Sequence, residues 1–204
     1  MLENYKSGIT LQQRADVQNR AAKVGGICGT ITAIEIFNFF NIKLSDQEIK
    51  EGILDSKRGT NQVNMVLFMS KYLDITYCVN HDIKKEIENG PSETLSISNH
   101  TEFVKLLNKE NINFMITPDL KDIIKLLNTE DSLAQFVFHE PEDEMTHYGL
   151  LCNVKNDLLE FTQRRRQIGE PDVKIDKFYT WWDKKDNSEM DPQQLVLIYR
   201  LKKK

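Results

Sequence analysis

The chain has 204 residues, of which 40% are hydrophobic and 28% are charged, with only 9 glycines and 5 prolines. This composition excludes a collagen-like or mainly disordered chain, and the length favours one folded domain, since a domain typically takes about 150 residues. The net charge of −4 argues against a nucleic-acid partner, because phosphate binding requires a basic surface.

The sequence has no pattern that would place the chain in a membrane or in an oxidising compartment. No stretch approaches the run of about 20 uncharged residues that a membrane span needs. The N-terminal residues lack the apolar stretch of a secretory signal. Three cysteines are too few for a disulfide scaffold. We therefore expect a cytoplasmic, reduced protein with no membrane span.

Helical patterns dominate the first third of the chain. Residues 1–24 are polar and predict an N-terminal arm or a short helix, followed by a single domain over residues 25–204. The apolar residues between Cys28 and Phe40 recur at helical spacing and follow a cluster of glycines. This pattern predicts a buried helix whose entry is rich in glycine.

The rest of the chain alternates predicted helices and strands. Ser45 and Glu48 form the signature of a capping box, which predicts the start of a second helix. Further helix candidates are residues 61–72, 101–108, 119–127 and 175–183. Strand candidates are residues 75–79, 112–116, 133–138, 147–154, 158–162 and 195–201. Helices first and strands later predict an α+β fold, with a mostly antiparallel sheet packed on segregated helices.

Cys28 is the strongest candidate for a reactive residue. Gly25 and Gly26 deliver it to the predicted N-terminus of an apolar helix, where free backbone N–H groups favour a thiolate over a thiol. The same N–H groups can stabilise an oxyanion, and glycine lets a substrate backbone approach closely. Cys78 and Cys152 alternate with hydrophobic residues in strands, so we interpret both as core residues.

A thiolate nucleophile needs a base, and imidazole is the usual one. His147 is the first choice because it opens a strand directly after an acidic turn, at the rim of the sheet. His139, which ends the preceding strand, is the alternative, while His81 and His100 have polar, surface-like contexts. No cluster has the spacing of zinc ligands, so we expect neither a metal nor a cofactor.

The order of these features resembles the papain-like cysteine peptidase superfamily. Within it, the chain is most similar to the small bacterial members, namely bacteriocin-leader-processing peptidases and papain-like effector toxins. The likeness rests on Gly-Gly-Ile-Cys-Gly at 25–29, RGTNQVNMVLFMSKYLDI at 58–75, HYGLLCNV at 147–154, LLEFTQ at 158–163 and IDKFYTWWDK at 175–184. The resemblance implies an α+β papain-like domain with its central cysteine-bearing helix packed on the sheet.

The resemblance also implies roles for individual residues. Cys28 would be the nucleophile and His147 the base, with Gln163 in place of the family's Asn or Asp that orients the imidazole. A glutamine carbonyl can accept the imidazole N–H but supplies no negative charge. With a shifted register, Glu160 or Asp157 would supply that charge.

The predicted oxyanion site departs from the family pattern. The family's oxyanion-hole glutamine has no counterpart at the usual distance before Cys28, where Ala22 stands. Gln18 or Asn19 would serve through a longer turn. Gly26 and Gly29 would admit the substrate on either side of the nucleophile.

Three functions follow as hypotheses from the resemblance. The first is a thiol hydrolase that cleaves a peptide bond in a protein or peptide substrate. The second is a glutamine deamidase or transglutaminase, which passes through the same thioester. The third is a papain-like binding module that has lost its catalytic activity. As a bacterial effector or processing enzyme, the protein would act in the cytoplasm or be exported by a non-classical secretion system into a host cell.

Overall fold

The computed structural model describes residues 2–24, 28–55, 59–60, 62–80, 82–90, 97–139, 146–162, 173–182 and 195–202. These residues form an α+β fold, in which helices cover both faces of a mixed, mostly antiparallel sheet of eight strands. The predicted α+β class and mostly antiparallel sheet are thus confirmed, while the papain-like arrangement stays a prediction.

The described helices are α1 (Leu11–Val24), α2 (Cys28–Phe39), α3 (Asp46–Ile53), α4 (Gln62–Met69), α5 (Ile83–Asn89), α6 (Ile97–Leu107), α7 (Leu120–Thr129) and α8 (Ile175–Trp182). The strands are β1 (Tyr5–Lys6), β2 (Leu54–Asp55), β3 (Gly59–Thr60), β4 (Leu73–Val79), β5 (Ile112–Ile116), β6 (Ser132–His139), β7 (Thr146–Lys155), β8 (Leu158–Thr162), β9 (Val173–Lys174) and β10 (Val196–Leu201). No described helix is long and apolar enough to cross a membrane.

The main sheet has the strand order β5-β4-β10-β6-β7-β8-β9, and β1 pairs with the far end of β7. Only β4 and β5 run parallel, and every other neighbouring pair in the described sheet is antiparallel. β2 and β3 form a separate hairpin between α3 and α4. The central strands β6 and β10 are buried along almost their whole length.

Two hydrophobic clusters lie on opposite faces of this sheet, because successive side chains of a strand point to opposite faces. One face, which we call the α2 face, carries α1 to α6, and contains Leu133 and Val137 of β6. The other, the α8 face, carries α7 and α8, and contains Phe136 and Phe138 of the same strand. The sheet therefore separates two packing environments.

Several elements follow the sequence prediction closely. α2 begins at Cys28, and its residues from Gly29 to Phe37 are all buried. The capping box of α3 is present: the Glu48 N–H donates to Ser45 Oγ at 3.2 Å, and the Ser45 N–H donates to Glu48 Oε2 at 2.7 Å. The strands β5 and β8 have the predicted bounds.

The N-terminal segment contains the short strand β1 and the helix α1. Val17, Ala21 and Val24 of α1 are buried against α2, at the three- and four-residue spacing of one helix face. The helix has few large apolar residues, so its pattern is weak in the sequence. Its stability comes from packing against α2.

Candidate functional site

Cys28 is the first residue of α2, as the sequence predicts, and its side chain is half-buried against the cluster on the α2 face. The start of a helix presents unsatisfied N–H groups and a partial positive potential, so we expect this position to favour a thiolate.

Of the two glycines predicted to admit the substrate, the structure describes only Gly29. Gly29 is the second residue of α2 and is buried, so it lies within the helix rather than on an open surface. Gly26 lies outside the described residues, which resume at Cys28. The substrate role of Gly26 therefore stays a prediction from the sequence.

A buried chain of hydrogen bonds connects the first turn of α2 to the sheet. The Thr32 hydroxyl lies 3.3 Å from the Cys28 carbonyl oxygen and 3.1 Å from that of Gly29. Gln135 donates its amide N–H to Thr32 Oγ1 at 2.5 Å, and the Tyr199 hydroxyl donates to Gln135 Oε1 at 2.6 Å. Because all four links are internal, they fix the turn that carries Cys28.

A second polar cluster lies further along α2. The Glu35 side chain is only 3% exposed, and burial raises its pKa to about 7, although a hydrogen bond to the Thr162 hydroxyl and the charge of Arg14 act in the opposite direction. The Arg14 guanidinium donates to Glu160 Oε1 at 2.6 Å. The cluster also touches Cys152, so α1, α2, β7 and β8 meet there.

The other two cysteines differ from Cys28 in their surroundings. Cys78 and Cys152 are buried, which confirms their interpretation as core residues. Burial raises the pKa of each thiol to about 12, so both are protonated at neutral pH. Cys28 is therefore the one thiol of the three with partial access to solvent.

His147 lies on the α8 face of the sheet. It pairs with Phe138 across β6 and β7, and its ring centroid is 6.4 Å from that of Phe138. Phe138 in turn stacks on Trp181 of α8, with ring centroids 6.0 Å apart. A glycine is required at position 149, two residues after His147, because a Cβ at that position would lie 2.8 Å from the Phe138 ring. Trp181 and Trp182 are both buried.

His139 lies on the opposite face. It is two residues beyond Val137, which belongs to the cluster on the α2 face, and it is buried. Its strand partner is Thr146, the first residue of β7. His139 and Cys28 are therefore on the same side of the sheet, whereas His147 and Cys28 are not.

α2 crosses its face of the sheet at the level of Leu150 in β7. Thr32 reaches Gln135 of β6 and Glu35 reaches Thr162 of β8, and both Gln135 and Thr162 pair with Leu150. His147 lies three residues before Leu150 in β7, and its neighbour across the strands, Phe138, lies three residues after Gln135 in β6. Both histidines therefore lie toward the same end of β6 and β7, and His147 is on the face opposite to α2.

The alternative orienting residues are engaged elsewhere. Glu160 accepts from Arg14 on the α2 face, away from the His147 ring. Asp157 lies in the turn after β7 and accepts the Leu2 N–H at 2.8 Å. A strand rises about 3.3 Å per residue, so this turn is about 25 Å or more from the start of β7. Gln163 lies outside the described residues, and the role of orienting His147 stays a prediction for all three residues.

Asn19, for which an oxyanion role is predicted, lies on α1. It is exposed on α1, on the side of that helix opposite to Val17 and Ala21, which face α2. The prediction assumed a longer turn before Cys28, whereas α1 continues as a helix to Val24. Gln18, its neighbour, is half-buried.

The comparisons with known proteins add no family. No family model, no curated protein and no solved structure matches this chain. Among the described residues, no group of three or more His, Cys, Asp or Glu side chains could hold a metal ion. The fold and site define an α+β protein with a half-buried cysteine at a helix N-terminus.

Sequence reasoning missed the polar residues behind the site. Gln135 and Glu35 are both polar residues inside otherwise apolar segments, SLAQFVFH and CGTITAIEIFNF. A buried polar residue costs free energy unless it is hydrogen-bonded, so each one signals a partner elsewhere in the chain. The signal was present, but the sequence does not identify the partners.

Proposed function

We propose that this protein is a thiol hydrolase with a papain-like arrangement, and that Cys28 attacks an amide or peptide carbonyl. The observation that carries the proposal is the placement of Cys28 as the first residue of α2, half-buried and anchored through the Thr32 and Gln135 hydrogen bonds. A helix N-terminus lowers the pKa of a cysteine, whereas burial raises it for the other two thiols.

The proposed reaction has two steps. The Cys28 thiolate adds to the carbonyl carbon, and backbone N–H groups at the start of α2 stabilise the oxyanion. The tetrahedral intermediate collapses to a thioester as a histidine gives its proton to the leaving amine. The histidine then takes a proton from water, which attacks the thioester, releases the acid and restores the thiolate.

His147 is the base in this proposal, on the basis of the resemblance to papain-like peptidases. It is the second residue of β7. His147 and Cys28 lie on opposite faces of the sheet, so the imidazole would have to reach the Cys28 sulfur around the end of β7. His139 is the second candidate, favoured by its burial on the same face as α2.

The substrate is a protein or peptide, and its reacting group is either a peptide bond or a glutamine side-chain amide. Both reactions pass through the same thioester on Cys28. They differ in the product: cleavage gives a new peptide terminus, whereas deamidation gives a glutamate and ammonia.

The experiment is a proteomic comparison of lysates incubated with the wild-type protein or with Cys28→Ala. New termini indicate a peptidase, and amide-to-acid conversion at glutamine indicates a deamidase. Either change should be absent with Cys28→Ala. A product that persists with Cys28→Ala would contradict the proposal, and no product with either protein would favour the binding-module hypothesis.

Histidine variants then identify the base. Once a substrate is known, His147→Ala should lower kcat/KM by about 100-fold or more, the usual contribution of a general acid or base. His139→Ala is the competing variant, and His100→Ala, in α6, is the control. A larger loss in His139→Ala than in His147→Ala would move the role of base to His139.

A further inference from the structure

The strand β5 forms one edge of the eight-stranded sheet and carries exposed hydrophobic side chains. Within the described residues, β4 is its one strand partner. Met115 is 45% exposed and Ile116 is 59% exposed, and these are two of the three large exposed hydrophobic residues of the described chain. An apolar edge strand of this kind is a template for pairing with another strand.

The backbone of β5 presents a regular set of hydrogen-bonding groups at the open edge. The Ile75 N–H donates to the Asn111 carbonyl, and the Thr117 N–H donates to the Val79 carbonyl. In a parallel pair this alternation directs the odd-numbered residues of β5 toward β4. The N–H and C=O groups of Ile112, Phe114 and Ile116 therefore point away from it.

These outward-pointing groups are symmetric about Phe114. In an antiparallel pair of two copies centred there, Phe114 faces its own counterpart and Ile116 faces Ile112. The Ile112 N–H is already bonded to the Lys109 carbonyl, but its carbonyl is available to the Ile116 N–H of the other copy. Four backbone hydrogen bonds can form in this register without disturbing β4.

The charges that flank β5 suit the same register. Lys109 lies five residues before Phe114 (114 minus 109) and Asp119 five residues after it (119 minus 114), and both are exposed. Antiparallel pairing about Phe114 brings each lysine to the side of the other copy's aspartate. Asp119 has no side-chain hydrogen bond to its own helix, so its carboxylate is available.

We propose that β5 is a self-association surface, through which two copies of the chain pair their edge strands antiparallel about Phe114. The occupant is a second copy, because the outward hydrogen-bonding groups and the flanking charges are both self-complementary. Pairing of two five-residue strands buries a small area, so we expect a weak, concentration-dependent dimer.

The test is sedimentation velocity of the full chain over a concentration series from about 1 μM to about 1 mM, which spans weak interfaces. The wild-type protein should shift toward twice the monomer mass as concentration rises. Ile116→Pro, which removes one outward N–H, and Ile116→Lys, which adds a charge at the edge, should each weaken association at least 10-fold.

Leu201→Lys is the matched control, since Leu201 is 49% exposed at the end of β10 and lies outside the proposed surface. It should associate like the wild type. Lys109→Glu should weaken the dimer, and adding Asp119→Lys should restore it. A wild-type protein that stays monomeric at the highest concentration would overturn the proposal. A dimer that is equally strong in both Ile116 variants would overturn it as well, because it would show that the two copies associate through another surface.

Discussion

At the scale of single residues, burial determines what each ionisable side chain can do. The three cysteines share one chemistry, yet burial keeps Cys78 and Cys152 protonated, with pKa values near 12. Glu35 shows the same effect on a carboxyl group. Its surroundings contain Arg14, Glu160 and the Cys152 thiol, and Arg14 is already bonded to Glu160.

Glu35 should make the stability of the fold depend on pH near neutrality. Its pKa is about 7 in the folded chain, against an ordinary value of 4.5, so the folded state holds the extra proton between these pH values. Stability must therefore fall as pH rises from about 4.5 through about 7, by about 3 kcal/mol at most. Urea unfolding at pH 5 and pH 8 measures the effect.

Glu35→Gln is the informative variant, since an amide does not titrate. Relative to the wild type it should be more stable at pH 8 than at pH 5, and the exposed Glu3→Gln should show no such change. Equal pH dependence in the wild type and Glu35→Gln would show that Glu35 is ionised at both pH values.

At the scale of elements, polar links and close contacts set the position of α2 and its neighbours. The Tyr199–Gln135–Thr32 chain joins β10 and β6 to the first turn of α2. α3 and α4 are in close contact, because Gly52 of α3 lies directly against the ring of Phe68 of α4.

Gln135→Leu should destabilise the fold by about 1–3 kcal/mol, because the Thr32 and Tyr199 hydroxyls both lose a buried partner. It should also change the alkylation rate of Cys28, since the turn that carries the sulfur loses its anchor. Tyr199→Phe, which removes only the outer link, should have the smaller effect on Cys28. Urea unfolding and the alkylation rate together check this, and unchanged values of both would show that the chain of bonds is dispensable.

Gly52→Ala tests the contact between α3 and α4. Alanine favours a helix over glycine by about 1 kcal/mol, but its Cβ would overlap a carbon of the buried Phe68 ring. Overpacking of this kind costs about 1–3 kcal/mol, so we expect net destabilisation in urea unfolding. The double variant Gly52→Ala with Phe68→Leu should recover part of the loss, and a stabilised single variant would contradict the contact.

At the scale of the whole molecule, local patterns predicted the elements but not which face each residue occupies. The helix at Cys28, the Ser45 capping box and the strands β5 and β8 all depend on short-range signals, and each is present. The face on which His147 lies depends on which residues of β6 and β7 pair. That register comes from long-range packing, such as Phe138 against Trp181, which no local pattern encodes.

The same limit applies to Asn19, Asp157 and Glu160, whose proposed roles stay predictions. The Asn19 side chain is exposed, Asp157 accepts the Leu2 N–H, and Glu160 accepts a hydrogen bond from Arg14. α1 has a weak apolar pattern because its packing against α2 supplies most of its stability. The sequence therefore left both an arm and a helix open for residues 1–24.

The rate of Cys28 alkylation by iodoacetamide as a function of pH, read by mass spectrometry in the native protein, shows whether Cys28 is an activated nucleophile. We expect Cys28 alone to react, with an apparent pKa below the ordinary value of about 8.5. We also expect that replacing the histidine that acts as its base by alanine raises that pKa. If Cys28 reacts no faster than the buried Cys78 and Cys152, or titrates like an ordinary thiol, this protein has no activated nucleophile.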